Sequence, residues 1–343
     1  MRRFLLLSLA AAFGLGSLRV GATEAPVHGL WVWKRSSVLE PVGSAETLRD
    51  FAKTNGITEI YLSISIHDHL MEDAPLVALI DLLHQASIRV EALLDSIDAD
   101  QPGKPREALL GLARSIVQFN EAQAHSRFDG IHLDIEPHQR AENKGPGNLR
   151  FLPGLLETFR GVREIAAPAH LTVNADIPNK LLKGDAAQRR GLLTSVDRVT
   201  LMLYELSSPD DGTATDAKSL KLQRAAEKYL SMAYAGLDDP NVAGMVIALR
   251  TKDYGESLQD MLKSLDEHQI ANSRYLGWAR HCYNDLLNRR TRRPGHSADI
   301  PGSKEPHSAL DAPTLLNFRP GGKRLACAGP GHGTRIWEHA SLK

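Results

Sequence analysis

The chain has 343 residues, of which 42% are hydrophobic and 6% aromatic, enough apolar material for a large packed core and too much for wholesale disorder. Its 41 basic and 41 acidic residues give a formal net charge of zero. A neutral chain has no broad electrostatic field that would recruit nucleic acid or an anionic membrane surface, so we expect neither as a partner.

The first residues are typical of an export signal. Arg2 and Arg3 precede a largely apolar run at residues 4–13, and small residues follow up to Ala25. The apolar run is shorter than the roughly 20 residues that span a bilayer, which favours a cleaved signal over a retained anchor. We therefore expect residues 1–25 to be a signal peptide and the remaining protein to be secreted or periplasmic, with no membrane partner.

Short apolar runs then alternate with helix-like stretches, the pattern of a parallel sheet covered by helices. Eight runs are predicted as strands: His28 to Lys34, Glu59 to Ser65, Val90 to Asp95, Gly130 to Glu136, His170 to Asp176, Arg198 to Tyr204, Gly244 to Arg250 and Tyr275 to His281. Helical spacing predicts helices over Ser44 to Thr54, Pro75 to Ala86, Glu107 to Asn120, Leu149 to Ile165 and Ala225 to Ala235. Closure removes the sheet edges, which favours a single-domain (β/α)₈ TIM barrel over residues 26–287; the alternative is a doubly wound open sheet.

The alternation stops after about Leu287. Segment 288–343 is rich in Arg, Gly, Pro and Ser, with RRTRRPGHS from Arg289 and RPGGKR from Arg319. Such a composition buries too little apolar surface to order itself, so we expect a flexible basic tail, with binding to an anionic surface as the alternative. The two cysteines, Cys282 and Cys327, permit a disulfide after export without predicting one.

In a barrel of this kind the catalytic side chains lie at the carboxyl ends of the strands. Alternation along the fourth strand places its apolar residues against the helices and points His132, Asp134 and Glu136 toward the barrel axis. Burying three ionisable groups in file is costly, which indicates a functional site rather than a structural polar ladder.

Glu136 lies at the mouth with a second carboxyl group below it. Like-charge repulsion and desolvation would raise its pKa, so that it stays protonated near neutral pH and acts as a general acid, as glycosidic-bond cleavage requires. Other strand-end side chains are predicted to bind the substrate: Trp33, Asp95, His132, Asn174, Asp176, Glu205, Arg250 and His281.

The segment FDGIHLDIE, at residues 128–136, resembles the strand-four signature Asp-Gly-x-Asp-x-Asp-x-Glu of family-18 glycoside hydrolases, the chitinase-like barrels. His132 stands where that family has an aspartate. The positions that match the signature are Asp129, Gly130, Asp134 and Glu136.

Two further segments are similar to the same family, and one departs from it. MLY, ending at Tyr204, resembles the family's Met-x-Tyr-Asp, with Glu205 in place of the aspartate. Trp278 lies where a tryptophan commonly floors the sugar site and is therefore also expected to bind substrate. The family's strand-three Ser-x-Gly-Gly is replaced by LLDSID from Leu93, which indicates an outlying branch.

The resemblance implies a substrate-assisted retaining mechanism without a cofactor or metal. Glu136 would protonate the glycosidic oxygen, Asp134 would orient the substrate's acetamido group, and Tyr204 would hydrogen-bond the oxazoline. The substrate would be a β-linked polysaccharide or oligosaccharide with N-acetylated sugars, chitin-like or peptidoglycan-derived. His132 beneath Asp134 is expected to donate a hydrogen bond to it and hold it ionised.

Two alternatives remain open. A barrel that binds glycan without cleaving it would use the same aromatic side chains, but the presence of Glu136 argues against it. A metal-dependent hydrolase would draw on side chains that can ligate a divalent ion, although they show no recognised metal spacing. Those residues are His67, Asp95, His132, Asp134, Asp176 and His281.

Overall fold

Eight parallel strands close into a barrel in which each strand pairs with the next and the eighth pairs with the first. The structure, a computed structural model, describes residues 25–65, 68, 70–145, 147–204, 215–254, 257–268, 270, 272–285, 287, 325–329 and 332–337. The barrel strands are β1 (Val27–Val32), β2 (Glu59–Ser63), β3 (Arg89–Ser96), β4 (Gly130–Ile135), β5 (Thr172–Pro178), β6 (Arg198–Met202), β7 (Gly244–Arg250) and β8 (Tyr275–His281). The predicted TIM barrel is confirmed, and the open-sheet alternative is wrong.

Helices connect the strands. They are α1 (Ser36–Leu39), α2 (Ser44–Thr54), α3 (Ala74–Gln85), α4 (Lys104–Ala122), α5 (Leu152–Ala166), α6 (Ala186–Thr194), α7 (Thr215–Tyr234), α8 (Thr251–Tyr254) and α9 (Leu258–Glu267). Each of the five predicted helices is present, and α2 has the predicted bounds. Helices α6 and α9 were not predicted, although α9 buries Leu258, Met261, Leu262 and Leu265 at helical spacing.

Local capping explains where two of these helices begin. The Asp73 carboxylate accepts a hydrogen bond from the Leu76 amide (2.9 Å) at the start of α3. At α6, Asp185 accepts from the Gln188 amide (2.8 Å), and the Gln188 side chain accepts from the Asp185 amide (3.0 Å), which is a capping box. Each cap satisfies helix-end amides and contributes about 1 kcal/mol.

Apolar side chains form two layers because successive strand residues point to opposite faces of the sheet. The larger layer lies between strands and helices and includes Ile131, Leu133 and Ile135, as predicted for β4. Burying each such side chain contributes roughly 1.5 to 3 kcal/mol. The smaller layer fills the barrel itself and includes Trp31, Tyr61, Leu93, Val246, Ala248, Ala279 and Cys282.

Gly29 lets a large ring lie across the barrel interior. A Cβ at this position would lie 2.3 Å from the Tyr61 hydroxyl oxygen and 2.7 Å from the ring carbon that bears it. Only glycine leaves room for the fully buried Tyr61. The barrel is therefore closed below its mouth by packed side chains, and its open space lies at the carboxyl end.

A separate unit contains the antiparallel strands β9 (Leu325–Gly329) and β10 (His332–Trp337). They lie in the segment for which composition predicts no core. The rest of that tail and residues 1–24 of the predicted signal peptide (1–25) fall outside the described residues. Across the described ranges, no helix combines the length and apolar character that crossing a bilayer requires.

Candidate active site

A cavity of about 590 Å³ opens at the carboxyl ends of the barrel strands. Asp134 and Glu136 both line it, so the fourth strand places its two carboxyl groups in one accessible pocket. The other predicted site residues that line the cavity are Trp33, Asp95, Asp176, Tyr204, Arg250 and His281. Trp31, Gln139, Lys252 and Asp285 line it as well.

Two residues predicted to bind substrate lie below the pocket instead. His132 and Asn174 are 0% and 1% exposed, and both bond to a carboxylate of Glu91 in the barrel interior. Each lies two residues before the pocket-lining aspartate of its strand, Asp134 on β4 or Asp176 on β5, and so points into the barrel below the pocket. The prediction of direct substrate contact is therefore wrong for both, and Glu205 lies outside the described residues.

Trp278 is also not a floor of the pocket. Its side chain packs in the layer between strands and helices, where it is 2% exposed and stacks on the His28 ring at 4.1 Å. Its indole N–H donates to both carboxylate oxygens of Asp266 at 3.0 Å. The expected role in sugar binding is wrong because this position of β8 faces outward.

Glu136 follows β4 and enters a short 3₁₀ turn over Pro137–Gln139. Its side chain is 21% exposed, and the Gln139 side-chain amide donates to its Oε2. Burial, followed by the charges of Asp176 and Asp95, raises the pKa of Glu136 to about 7. The shift has the predicted direction, so the group retains a proton to give at near-neutral pH.

The turn that carries Glu136 is tied to the loop after β3. Arg140, just past the turn, forms a bidentate ion pair with Asp100, with N–O distances of 2.8 and 2.7 Å. The same guanidinium donates to the carbonyl oxygen of Ile97 at 3.0 Å. Bidentate pairing of this kind restrains orientation as well as distance, so the acid is held in place before any substrate arrives.

Asp134 lies deeper than Glu136 and is 8% exposed. Its Oδ1 is buried without a hydrogen-bond partner among the described residues. Burial, then the charges of Asp176 and Glu136, raises the pKa of Asp134 well above its ordinary range. The expected hydrogen bond from His132 to Asp134 is wrong, since both His132 ring nitrogens bond elsewhere.

His132 bridges two carboxylates on the neighbouring strands. Its Nδ1 lies 3.0 Å from Glu91 Oε2 and its Nε2 lies 2.9 Å from Asp176 Oδ1. Two nitrogens that both face carboxylate oxygens each carry a proton, as in imidazolium. Burial lowers the pKa of His132, but the charges and hydrogen bonds of Asp176 and Glu91 outweigh burial and raise it to about 10.

Asp176 accepts a second hydrogen bond, from a tryptophan that also lines the pocket. The Trp31 indole N–H donates to Asp176 Oδ2 at 3.1 Å, so each carboxylate oxygen accepts a hydrogen bond from a fixed ring. Tyr61 stacks on the His132 ring with a centroid distance of 3.8 Å. These contacts hold the imidazole and the carboxylate in one orientation under the pocket.

Further charged side chains lie in the barrel interior on the side of His132 away from the pocket. Arg198 donates to Glu91 Oε1 at 3.1 Å and forms a two-bond pair with Glu59. Burial raises the pKa of Glu91, but the positive charges of Arg198 and His132 outweigh it and lower that pKa to about 2. The sequence analysis missed these three residues, although period-2 alternation from Tyr61 back to Glu59 and from Asp95 back to Glu91 was a usable signal.

Just after β6, Tyr204 lies under the guanidinium of Arg250, whose carbon is 5.0 Å from the ring centroid. Arg250 is also paired with Asp253 at 2.8 Å. Burial, then the charges of Asp176 and Asp134, raises the pKa of Tyr204 well above its ordinary range. The phenol therefore keeps its proton and can donate a hydrogen bond into the pocket.

One group of potential metal ligands occurs among the described residues: the ligand atoms of His281, Cys282 and Asp285 lie within 4.8 Å of one another. The Trp33 indole N–H donates to His281 Nε2 at 2.8 Å, so the other ring nitrogen carries the proton of the neutral imidazole. Burial, then the charges of Arg250 and Lys252, lowers the pKa of His281 to about 4. With the rings arranged as they are, neither His281 nor His132 offers a lone pair to an ion, which does not favour the metal-dependent alternative.

Cys282 is a buried free thiol. Its predicted disulfide option with Cys327 stays a prediction, since the side chain of Cys327 lies outside the described residues. Burial, followed by the charge of Asp285, raises the pKa of Cys282 to about 11. The thiol is thus protonated near neutral pH and is a poor nucleophile.

Fold and site together define a (β/α)₈ barrel with an acidic pocket at the carboxyl ends of its strands and a proton-bearing carboxyl group at the pocket mouth. The chain matches no protein-family model and no curated protein sequence. Its fold is similar to several solved structures. The glycoside hydrolase domain of PgaB (BpsB) from Bordetella bronchiseptica has 12% identity and a TM-score of 0.47, covering 77% of this chain and 96% of that one.

Two other solved structures are similar at the same level. The Ostrinia furnacalis Group IV chitinase in complex with allosamidin has 13% identity and a TM-score of 0.44, covering 66% of each chain. The Bacillus cereus spore cortex-lytic enzyme SleL has 12% identity and a TM-score of 0.43, covering 67% of this chain and 51% of that one. Similarity at this level concerns the barrel fold and not the reaction.

Proposed function

We propose that the protein is a glycoside hydrolase in which Glu136 is the general acid. The observation that carries this proposal is a carboxyl group with a pKa of about 7 at the mouth of an open pocket, with further carboxyl groups beneath it. A carboxylic acid kept protonated by burial and neighbouring charge is the group that glycosidic-bond cleavage needs at the leaving oxygen.

The reaction runs in two steps. Glu136 gives its proton to the glycosidic oxygen, the bond from that oxygen to the sugar carbon breaks, and the electron pair leaves with the oxygen. The carbonyl oxygen of the substrate's own acetamido group bonds to the sugar carbon and forms an oxazolinium ion. Water then attacks this carbon, the bond from the carbon to the acetamido oxygen breaks with its electron pair returning to that oxygen, and the water gives a proton to the Glu136 carboxylate. This restores the acetamido group and the acid and leaves two shorter glycans.

The sequence motif supports a β-linked substrate with N-acetylated sugars, chitin-like or peptidoglycan-derived. Asp134 lines the pocket below Glu136, and its Oδ1 has no hydrogen-bond partner among the described residues, which supports a role for Asp134 as the acceptor of the acetamido N–H. Tyr204, which keeps its phenolic proton, would donate to the oxazolinium oxygen. We expect Tyr204→Phe to cost about 1 to 3 kcal/mol of transition-state stabilisation, measured as a fall in kcat/KM.

The test is a screen of fluorogenic glycosides and cell-wall oligosaccharides with the wild type and Glu136→Gln in parallel. We expect hydrolysis by the wild type and a loss of about 10²- to 10⁴-fold in the variant, with oligosaccharide binding retained. Glu164→Gln, which makes the same change on the exposed face of α5, is the matched control and should keep wild-type rates. Wild-type turnover in Glu136→Gln would show that Glu136 is not the general acid.

The same screen distinguishes the non-catalytic alternative. A barrel that only binds glycan would show calorimetric binding by the wild type and no product with any substrate. We propose export to the periplasm or the medium on the basis of residues 1–25, and fractionation of cells that express the full chain tests it.

A further inference from the structure

The barrel interior contains a column of charged side chains that the reaction described above does not use. It consists of Glu91, His132 and Asp176, on β3, β4 and β5, joined through the two ring nitrogens of His132 at 3.0 and 2.9 Å. All three side chains are at most 2% exposed. Burying such groups is costly unless their interaction is used, since apolar side chains would fill the same volume at no electrostatic cost.

We propose that this column fixes a negative charge on Asp176 beneath the reacting sugar, with His132 and Glu91 as positioning residues, and that Asp176 rather than Asp134 is the anion that stabilises the cationic intermediate. The inference rests on the hydrolysis proposed above and assigns its electrostatics.

The hydrogen bonds decide which of the two aspartates holds the charge. Both oxygens of Asp176 accept hydrogen bonds from N–H donors, Trp31 Nε1 and His132 Nε2, so a negative charge on this carboxylate is hydrogen-bonded at both oxygens. Asp134 Oδ1 is buried without a partner among the described residues, and Asp134 lies close to the charges of Asp176 and Glu136. Two neighbouring carboxyl groups of this kind do not both ionise, so the proton resides on Asp134.

A fixed charge on Asp176 would do two things at once. It would stabilise the positive charge that develops at the sugar carbon in the transition state. Because the carboxylate is already held in position, the pocket would not have to reorganise during the reaction. It would also disfavour ionisation of Glu136, since the charge of Asp176 is the largest contribution after burial to the raised pKa of that acid. The column therefore couples the proton donor to the stabilising anion.

The charge state of His132 depends on groups from every strand packed around it. Glu91 and Asp176 bond to it, Tyr61 stacks on it at 3.8 Å, and Trp31 meets it edge-on at 5.8 Å. Asp134 follows on its own strand, and Arg198 and Glu59 continue the charges beyond Glu91. Each ring nitrogen bonds to a carboxylate, and the two negative charges favour the positively charged imidazolium form.

The kinetic test compares Asp176→Asn, His132→Asn and Glu91→Gln with the wild type across pH. We expect Asp176→Asn and His132→Asn to lose about 10²- to 10³-fold in kcat with little change in KM. In Asp176→Asn the alkaline limb of the pH profile should move to lower pH, because Glu136 loses a neighbouring negative charge. In His132→Asn the limb should move in the same direction, because Asp176 takes up a proton once its imidazolium partner is removed. Glu91→Gln, which acts through His132, should shift the limb in the same direction by less.

A matched control separates this role from loss of packing. His84 also pairs with a carboxylate, Asp129 Oδ2 at 2.9 Å, but on the outer side of the sheet. His84→Asn should lower stability without moving the pH limb. If Asp176→Asn keeps the wild-type kcat and the wild-type limb, the column is structural only and the proposal is wrong.

A measurement on the wild-type protein needs no variant to fold and no substrate to be cleaved. Nitrogen NMR of the labelled imidazoles should show both ring nitrogens of His132 protonated up to about pH 9, given a pKa raised to about 10. If His132 is neutral at pH 7, the proposal that the column fixes a charge on Asp176 is wrong, even if Glu136 proves to be the general acid. If His132 is charged but no glycoside is cleaved, the proposed hydrolysis is wrong, whereas the buried ionised column of Glu91, His132 and Asp176 is still supported.

Discussion

Replacing Glu136 by Gln should stabilise the folded protein at neutral and alkaline pH. Raising the pKa of a carboxyl group from 4.5 to about 7 means that ionising it costs the folded state about 3 kcal/mol, at about 1.4 kcal/mol per tenfold change in the equilibrium. Because about a fifth of the side chain meets water, about 2 to 3 kcal/mol is the expected gain. The neutral amide of the variant avoids this cost.

The sign follows from proton binding. Between pH 4.5 and about 7 the folded wild type binds more protons at this site than the unfolded chain, so its stability falls relative to the variant as pH rises. Below pH 4 the two proteins should melt together, and above pH 7.5 the variant should melt about 5 °C higher. Differential scanning calorimetry from pH 4 to 8, with Glu164→Gln as control, measures this. A constant offset between wild type and Glu136→Gln would refute the raised pKa.

Two further substitutions test the packing. Arg198→Leu removes the guanidinium that Glu59 and Glu91 share and leaves Glu59 with only the half-exposed Arg89, so we expect a loss of about 3 to 5 kcal/mol in urea unfolding; a loss below 1 kcal/mol would contradict the charge network. Gly154→Ala would place a Cβ 2.1 Å from the carbonyl oxygen of Asp100, so it should destabilise α5 by about 1 to 3 kcal/mol. Gly111→Ala, in the open interior of α4, is its control and should instead stabilise by up to about 1 kcal/mol.

The sequence was sufficient for the barrel and for the upper part of the site. Regular alternation along β4 predicts that Asp134 and Glu136 share the inward face, and both line the pocket. Crowding of carboxyl groups predicts the direction of the Glu136 pKa shift, although the charges that raise this pKa belong to Asp95 and Asp176 on the neighbouring strands and not to Asp134. Both inferences use neighbours in the sequence, which a single strand determines without knowledge of its partners.

Other features depend on pairing between strands. His132 lies opposite Leu93 on β3 and Asn174 on β5, so its contacts with Glu91 and Asp176 follow from the register, which the sequence does not contain. Trp278 was expected in the pocket from the family resemblance and not from alternation along the strand. His281 lines the pocket, and Trp278 lies three residues before it, so alternation along β8 places Trp278 on the side that faces the helices.

The ion network around Arg198 also bears on how the barrel responds to heat. A barrel interior usually contains branched aliphatic side chains, whose exposure on unfolding raises the heat capacity. Here Glu59, Glu91 and Arg198 occupy part of that volume, and exposing charged surface lowers the heat capacity instead. Hydration of charged groups also becomes less favourable on warming, so these buried ions cost less at high temperature than at low. This ion network therefore lowers the heat-capacity change of unfolding and flattens the curve of stability against temperature, so that its net cost to stability is smaller at high temperature than at low.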